Sequence, residues 1–112
     1  MADDMYPRAS KAFQDRRREL APGPLNAFQE FSRQVFADGA FDARTKQLIA
    51  VAVAHTTQCP YCIRGHTTAA LKAGATEAQI MEAIWVAAEM RAGAAYAHSA
   101  IALDAMHPAK PL

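Results

Sequence analysis

Residues 45–73 read TKQLIAVAVAHTTQCPYCIRGHTTAALKA, and their punctuation decides the fold. The apolar run 48–54 sits inside a helical pattern for which Asp42 is a good N-cap, so the spacing predicts a helix over 43–57. Cys59-Pro60 starts the next one: proline is favoured at the first helical position, which puts Cys59 at the N-cap and Cys62 in the first turn. Gly74 caps that helix at its far end. Downstream, Thr76-Glu77-Ala78-Gln79 matches a capping box. It opens a long helix through Ile80, Ile84, Trp85, Tyr96 and Leu103, stopped by His107-Pro108. Upstream, Pro22-Gly23-Pro24 separates a polar helix over about 8–20 from one over about 24–37. The latter carries Leu25, Phe28, Phe31, Val35 and Phe36 at helical spacing and ends at Asp38-Gly39. No strand-like alternation occurs. The expected architecture is an all-α helical bundle: an N-terminal helical arm over 1–21, one domain over 22–107 and a tail over 108–112.

The 112 residues fit a single domain, and a chain of that size hides only roughly 65% of its unfolded surface. Twelve basic and eleven acidic side chains leave a net charge of +1, so no basic excess is available for a nucleic-acid partner. The longest apolar run, 48–54, is far short of the ~20 residues of a membrane span. The acidic start Met1-Ala2-Asp3-Asp4 is not a secretory leader, so the expected location is the cytoplasm. Leu, Ile, Val and Phe together number 20 against 27 alanines. A single copy therefore has few large apolar groups to offset its conformational entropy, and the helices are expected to bury more surface in an oligomer.

The chemistry concentrates in Cys59-Pro60-Tyr61-Cys62. In a cytoplasmic chain a C-x-x-C pair reads as redox or metal rather than as a static bridge. The unpaired N–H groups and partial positive charge of a helix N-terminus stabilise a thiolate. His66 follows Cys62 by four residues, on the same helix face, where an imidazole can take the thiol proton directly or through one water. On this reading Cys62 attacks and Cys59 resolves; the reverse assignment stays open, because the first cysteine of such pairs is often the more exposed. A thiolate with a resolving thiol beside it is suited to peroxide reduction through a sulfenic acid and a disulfide, renewed by an external dithiol.

The stretch 45–73, followed by GATEAQIMEAIWVAAEMRAGAAYAH over 74–98, resembles the alkylhydroperoxidase D-like (AhpD-like) members of the carboxymuconolactone decarboxylase family. The likeness spans roughly residues 24–106. It implies an all-helical fold assembled as trimers or hexamers, and a peroxidase regenerated by a dithiol protein, either a lipoyl-bearing adaptor or a thioredoxin-like partner. Carried over by motif, Cys62 is the peroxide-attacking thiol, Cys59 the resolving thiol and His66 the proton-relay base, with no metal or organic cofactor. The family's relay glutamate lies twelve residues before the first cysteine, where this chain has Gln47. An amide can orient a histidine or a water but cannot take a proton at neutral pH. Glu89, one turn from Trp85 at the edge of the last helix's apolar face, is the candidate substitute carboxylate.

Other readings compete. His55, Cys59, Cys62 and His66 supply four zinc-type ligands, as in a zinc-stabilised non-catalytic module, although the spacing is unlike a usual finger. A lactone decarboxylase on the same fold and a thiol–disulfide exchange protein without peroxidase activity are further alternatives. His55 and His98 read more simply as helix-end and packing histidines, Met81, Met90 and Met106 as gap-fillers, Trp85 as core, and Arg16-Arg17-Arg18 as a solvated face.

Overall fold

The computed structural model describes residues 5–110, and these form five α-helices and no strand. They are α1 (Lys11–Leu20), α2 (Pro22–Phe36), α3 (Ala43–Thr57), α4 (Pro60–Lys72) and α5 (Glu77–Met106). None is long and apolar enough to cross a membrane.

Local chemistry sets the helix ends. Asp42 accepts the backbone N–H of Thr45 at 2.7 Å and starts α3. Thr76 and Gln79 satisfy each other's backbone N–H groups in a complete capping box at α5. After α4 the chain turns through Gly74 at φ +96°, and the N–H groups of Gly74 and Ala75 bond back to Leu71 and Ala70. That paired return is the Schellman arrangement, and its left-handed position favours glycine. The end of α3 makes a similar turn without glycine: Gln58 sits at φ 58°, and Cys59 N–H returns to the carbonyl of Ala54.

Two boundaries differ from expectation. Helix α1 begins at Lys11, where Ser10 Oγ accepts the N–H of Phe13, rather than at residue 8. Pro22-Gly23-Pro24 does not separate the helices but forms the first turn of α2; Ala21 alone makes the break. First-turn N–H groups lack intrahelical acceptors in any helix, so prolines there forfeit nothing.

Helix α3 is the centre, packed against both α4 and α5. Val51 is fully buried there and meets Ala70, Ala75 and Ile80, with Leu48 and Ile84 around them. The core is small. Trp85, expected inside, is 68% exposed, because it lies on the side of α5 turned away from α3. The α1–α2 hairpin has no buried residue and meets α3 only lightly.

Candidate active site

Two turns bring the site together. The left-handed Gln58 reverses the chain at the end of α3, and Cys59, in extended conformation, caps α4 with its own sulfur: Cys59 Sγ accepts the backbone N–H of Cys62 at 3.3 Å. Pro60 occupies the first turn, as the sequence predicts. Both cysteines are free thiols and half-buried.

The thiol proton of Cys62, directed at Cys59, and then the Cys62 backbone N–H hold the Cys59 thiol below its ordinary range. Donating that hydrogen pushes the Cys62 thiol up, and burial adds to the rise. Acidity thus falls on the first cysteine, although the helix terminus and the imidazole made the second the expected thiolate.

Gln47 lies one turn before the buried Val51, on the face of α3 that meets α4. Its Oε1 is 2.7 Å from His66 Nδ1. An amide oxygen only accepts, so Nδ1 carries the hydrogen and Nε2 keeps a free lone pair in the neutral ring. Phe36, at the end of α2, stacks on the imidazole with ring centroids 5.0 Å apart and planes inclined by 25°. Among the described residues His66 makes no hydrogen bond to either sulfur; it shares cavities with Cys62 instead. One, about 420 Å³, is lined by Val35, Phe36, Ile49 and Val53 together with Cys62 and His66. The other, about 510 Å³, is a more open cleft where Ser32, Arg33, Gln47 and Tyr61 surround the same two residues. Peroxide-sized molecules fit either.

The structure therefore brings Gln47, Cys59, Cys62 and His66 together and leaves Glu89 apart. Glu89 is exposed on α5, curled over Gly93, with no hydrogen bond or ion pair among the described residues and no place in either cavity. His55 Nδ1 bonds the carbonyl of Val51 at 2.8 Å. Among the described residues no three His, Cys, Asp or Glu side chains gather as a metal site, so the four zinc-type ligands do not converge. Sequence reasoning missed three contacts: the Phe36 ring on His66, Arg91 donating to the carbonyl of Thr56 at 2.8 Å, and Tyr61 edge-on to Tyr6 at 6.0 Å. Nothing in the local sequence marks these long-range pairs.

Residues 22–105 match the model of the carboxymuconolactone decarboxylase family. The chain belongs to that family. An uncharacterized protein of the cox locus of Paracoccus denitrificans is 63% identical over 103 residues, 92% of each chain. Among solved structures, a carboxymuconolactone decarboxylase family protein of Legionella pneumophila superposes with a TM-score of 0.68 at 33% identity, over 70% of each chain. A family member from Thermotoga maritima, whose description links it as a possibility to an antioxidative response, superposes at 0.56 and 29% identity over 69% of this chain and 71% of its own. The all-helical arrangement of the described residues is the AhpD-like fold of that family.

Proposed function

We propose that this family member is a thiol-dependent peroxidase that reduces hydrogen peroxide or small organic hydroperoxides through a Cys59–Cys62 disulfide cycle. The observation that carries this reading is the pairing of two free, hydrogen-bonded thiols with an imidazole whose Nε2 is left free as an acceptor. Cys62 faces the cavities, so it takes the peroxide. Its proton passes to His66 Nε2, and its sulfur attacks the nearer peroxide oxygen. The O–O bond breaks, the alkoxide leaves and collects a proton from the imidazolium, and Cys62 becomes a sulfenic acid. The Cys59 thiolate attacks that sulfur; hydroxide leaves, is protonated to water, and the disulfide forms. An external dithiol protein, lipoyl-bearing or thioredoxin-like, takes the oxidation and returns both thiols. Gln47 orients the ring and moves no proton.

Steady-state consumption of hydrogen peroxide with dithiothreitol as reductant tests this. Cys62→Ser abolishes turnover, and Cys59→Ser, in the absence of any added thiol, consumes one peroxide per chain and stops at the Cys62 sulfenic acid. Full turnover by Cys62→Ser overturns the assignment. The lowered pKa of Cys59 favours a second reading, in which Cys59 attacks a partner's disulfide and the protein exchanges thiols without consuming peroxide. Disulfide exchange at a peroxide-inert site separates that reading from the first.

A further inference from the structure

Among the described residues, Cys62, His66 and Phe36 are the ones that line both cavities. Cys62 and His66 carry the proposed chemistry. Phe36 has no reactive atom, and its ring lies stacked on the imidazole with centroids 5.0 Å apart. It is half-buried, whereas Phe28 and Phe31 of the same helix are each 64% exposed. The contact with His66 sets Phe36 apart from those two rings.

An imidazole that takes a thiol proton has to present Nε2 towards the sulfur. The hydrogen bond from Nδ1 to Gln47 Oε1, 2.7 Å long, anchors one corner of the ring. The ring can still tilt about that corner. An aromatic face laid against it, inclined by 25°, sets its plane. Phe36 is itself pinned. The next residue, Ala37, accepts Lys46 Nζ on its carbonyl at 2.6 Å, and Asp38 Oδ1 accepts the backbone N–H of Ala43 at 2.7 Å. The Lys46 ammonium also meets the negative end of α2. Lys46 directly precedes Gln47 on α3. Neighbouring residues of α3 therefore reach the imidazole by two routes, Gln47 by its amide and Lys46 through the end of α2.

We infer that Phe36 is a positioning residue for His66: its ring sets the plane of the imidazole so that Nε2 receives the Cys62 proton while the electron pair stays on sulfur, and Lys46 holds Phe36 in place through the Ala37 carbonyl. The inference rests on the reading of His66 as the base of Cys62. It gives α2, a helix with no buried residue, a task at the site.

Alkylation of Cys62 by iodoacetamide uses the base and needs no peroxide, and fragmentation mass spectrometry of the full-length protein follows each thiol separately. Phe36→Leu keeps an apolar side chain and loses the aromatic face. The rate at Cys62 at pH 7 falls about three- to tenfold, the worth of one aromatic stack, while the rate at Cys59 stays. Phe36→Tyr keeps the ring and restores the Cys62 rate. Lys46→Met keeps the stem, removes the donor and gives a smaller loss at Cys62, which reads the inference should Phe36→Leu fail to fold. In a His66→Ala background the base is already gone, so Phe36→Leu adds nothing; a merely structural effect would add. An unchanged Cys62 rate in Phe36→Leu or Lys46→Met, an equal loss in Phe36→Leu and Phe36→Tyr, or a further loss on top of His66→Ala overturns the inference. A Cys62 rate that His66→Ala itself leaves unchanged overturns the base together with the residue that positions it. If the expected pattern holds and no peroxide is consumed, the peroxidase reading falls and the positioning of His66 stands.

Discussion

At Cys59 a sulfur acts as a helix cap, and this sets the chemistry of the pair. The thiol of Cys62 is the largest cause of the lowered Cys59 pKa, ahead of the Cys62 backbone N–H. Cys62→Ala removes the first and keeps the second. The pH midpoint for alkylation of Cys59 by iodoacetamide, below the ordinary thiol value in the parent, therefore rises in the variant. An unchanged midpoint means that the backbone alone acidifies Cys59. Gln47 is the other decisive residue. Gln47→Leu takes away the acceptor at 2.7 Å and frees the imidazole to rotate, so turnover falls by about tenfold or more, the scale of an orienting partner. Gln47→Glu keeps an acceptor and adds a base; its rate equals or exceeds that of the parent. Loss of activity in both variants would give the amide a role beyond orientation.

The helix ends make separate predictions. Gln58 occupies the left-handed region without being glycine. Gln58→Gly removes that strain and raises thermal stability by about 0.5–1 kcal/mol; a destabilised variant would show that its side chain is worth more than the strain. Asp42 caps α3, and its hydrogen bonds to Thr45 hold the carboxyl below its usual range. A carboxyl whose pKa is depressed in the fold contributes stability that is fully present above the unfolded pKa and is lost as pH falls through the folded one. Asp42→Asn keeps a capping oxygen without that titration, so its melting temperature falls less between pH 7 and pH 2. These ends were legible because capping is local: Asp42, Cys59-Pro60, Gly74 and Thr76 through Gln79 each act within a few residues. Pro22-Gly23-Pro24 misleads, since prolines signal the start of a helix as readily as a break. The stacking of Phe36 on His66 was illegible. Helical spacing marks Phe36 as apolar but does not say that its ring, at the end of α2, reaches His66 on α4.

For the whole molecule, sequence pattern carried the all-α class, whereas Gln47 was singled out by the family resemblance alone, and its contact with His66 comes from the packing of α3 on α4. The pattern did not reveal which side of α5 meets α3, so Trp85 falls outside and Val51 inside. Val51→Ala opens space at the centre of a very small core, and the loss is about 2 kcal/mol in chemical denaturation; a negligible loss would mean that α3 is not the hub. A core that small cannot fix every helix, which is why α1, α2 and the end of α5 remain uncovered in one copy.

The redox account is tested most directly by a single turnover. Fully reduced protein is mixed with one equivalent of hydrogen peroxide in the absence of any other thiol, then quenched and its thiols and mass measured. The account predicts the loss of two thiols per peroxide consumed and a mass lower by two hydrogens, with Cys59 and Cys62 joined within one chain. Two free thiols and unconsumed peroxide would contradict it.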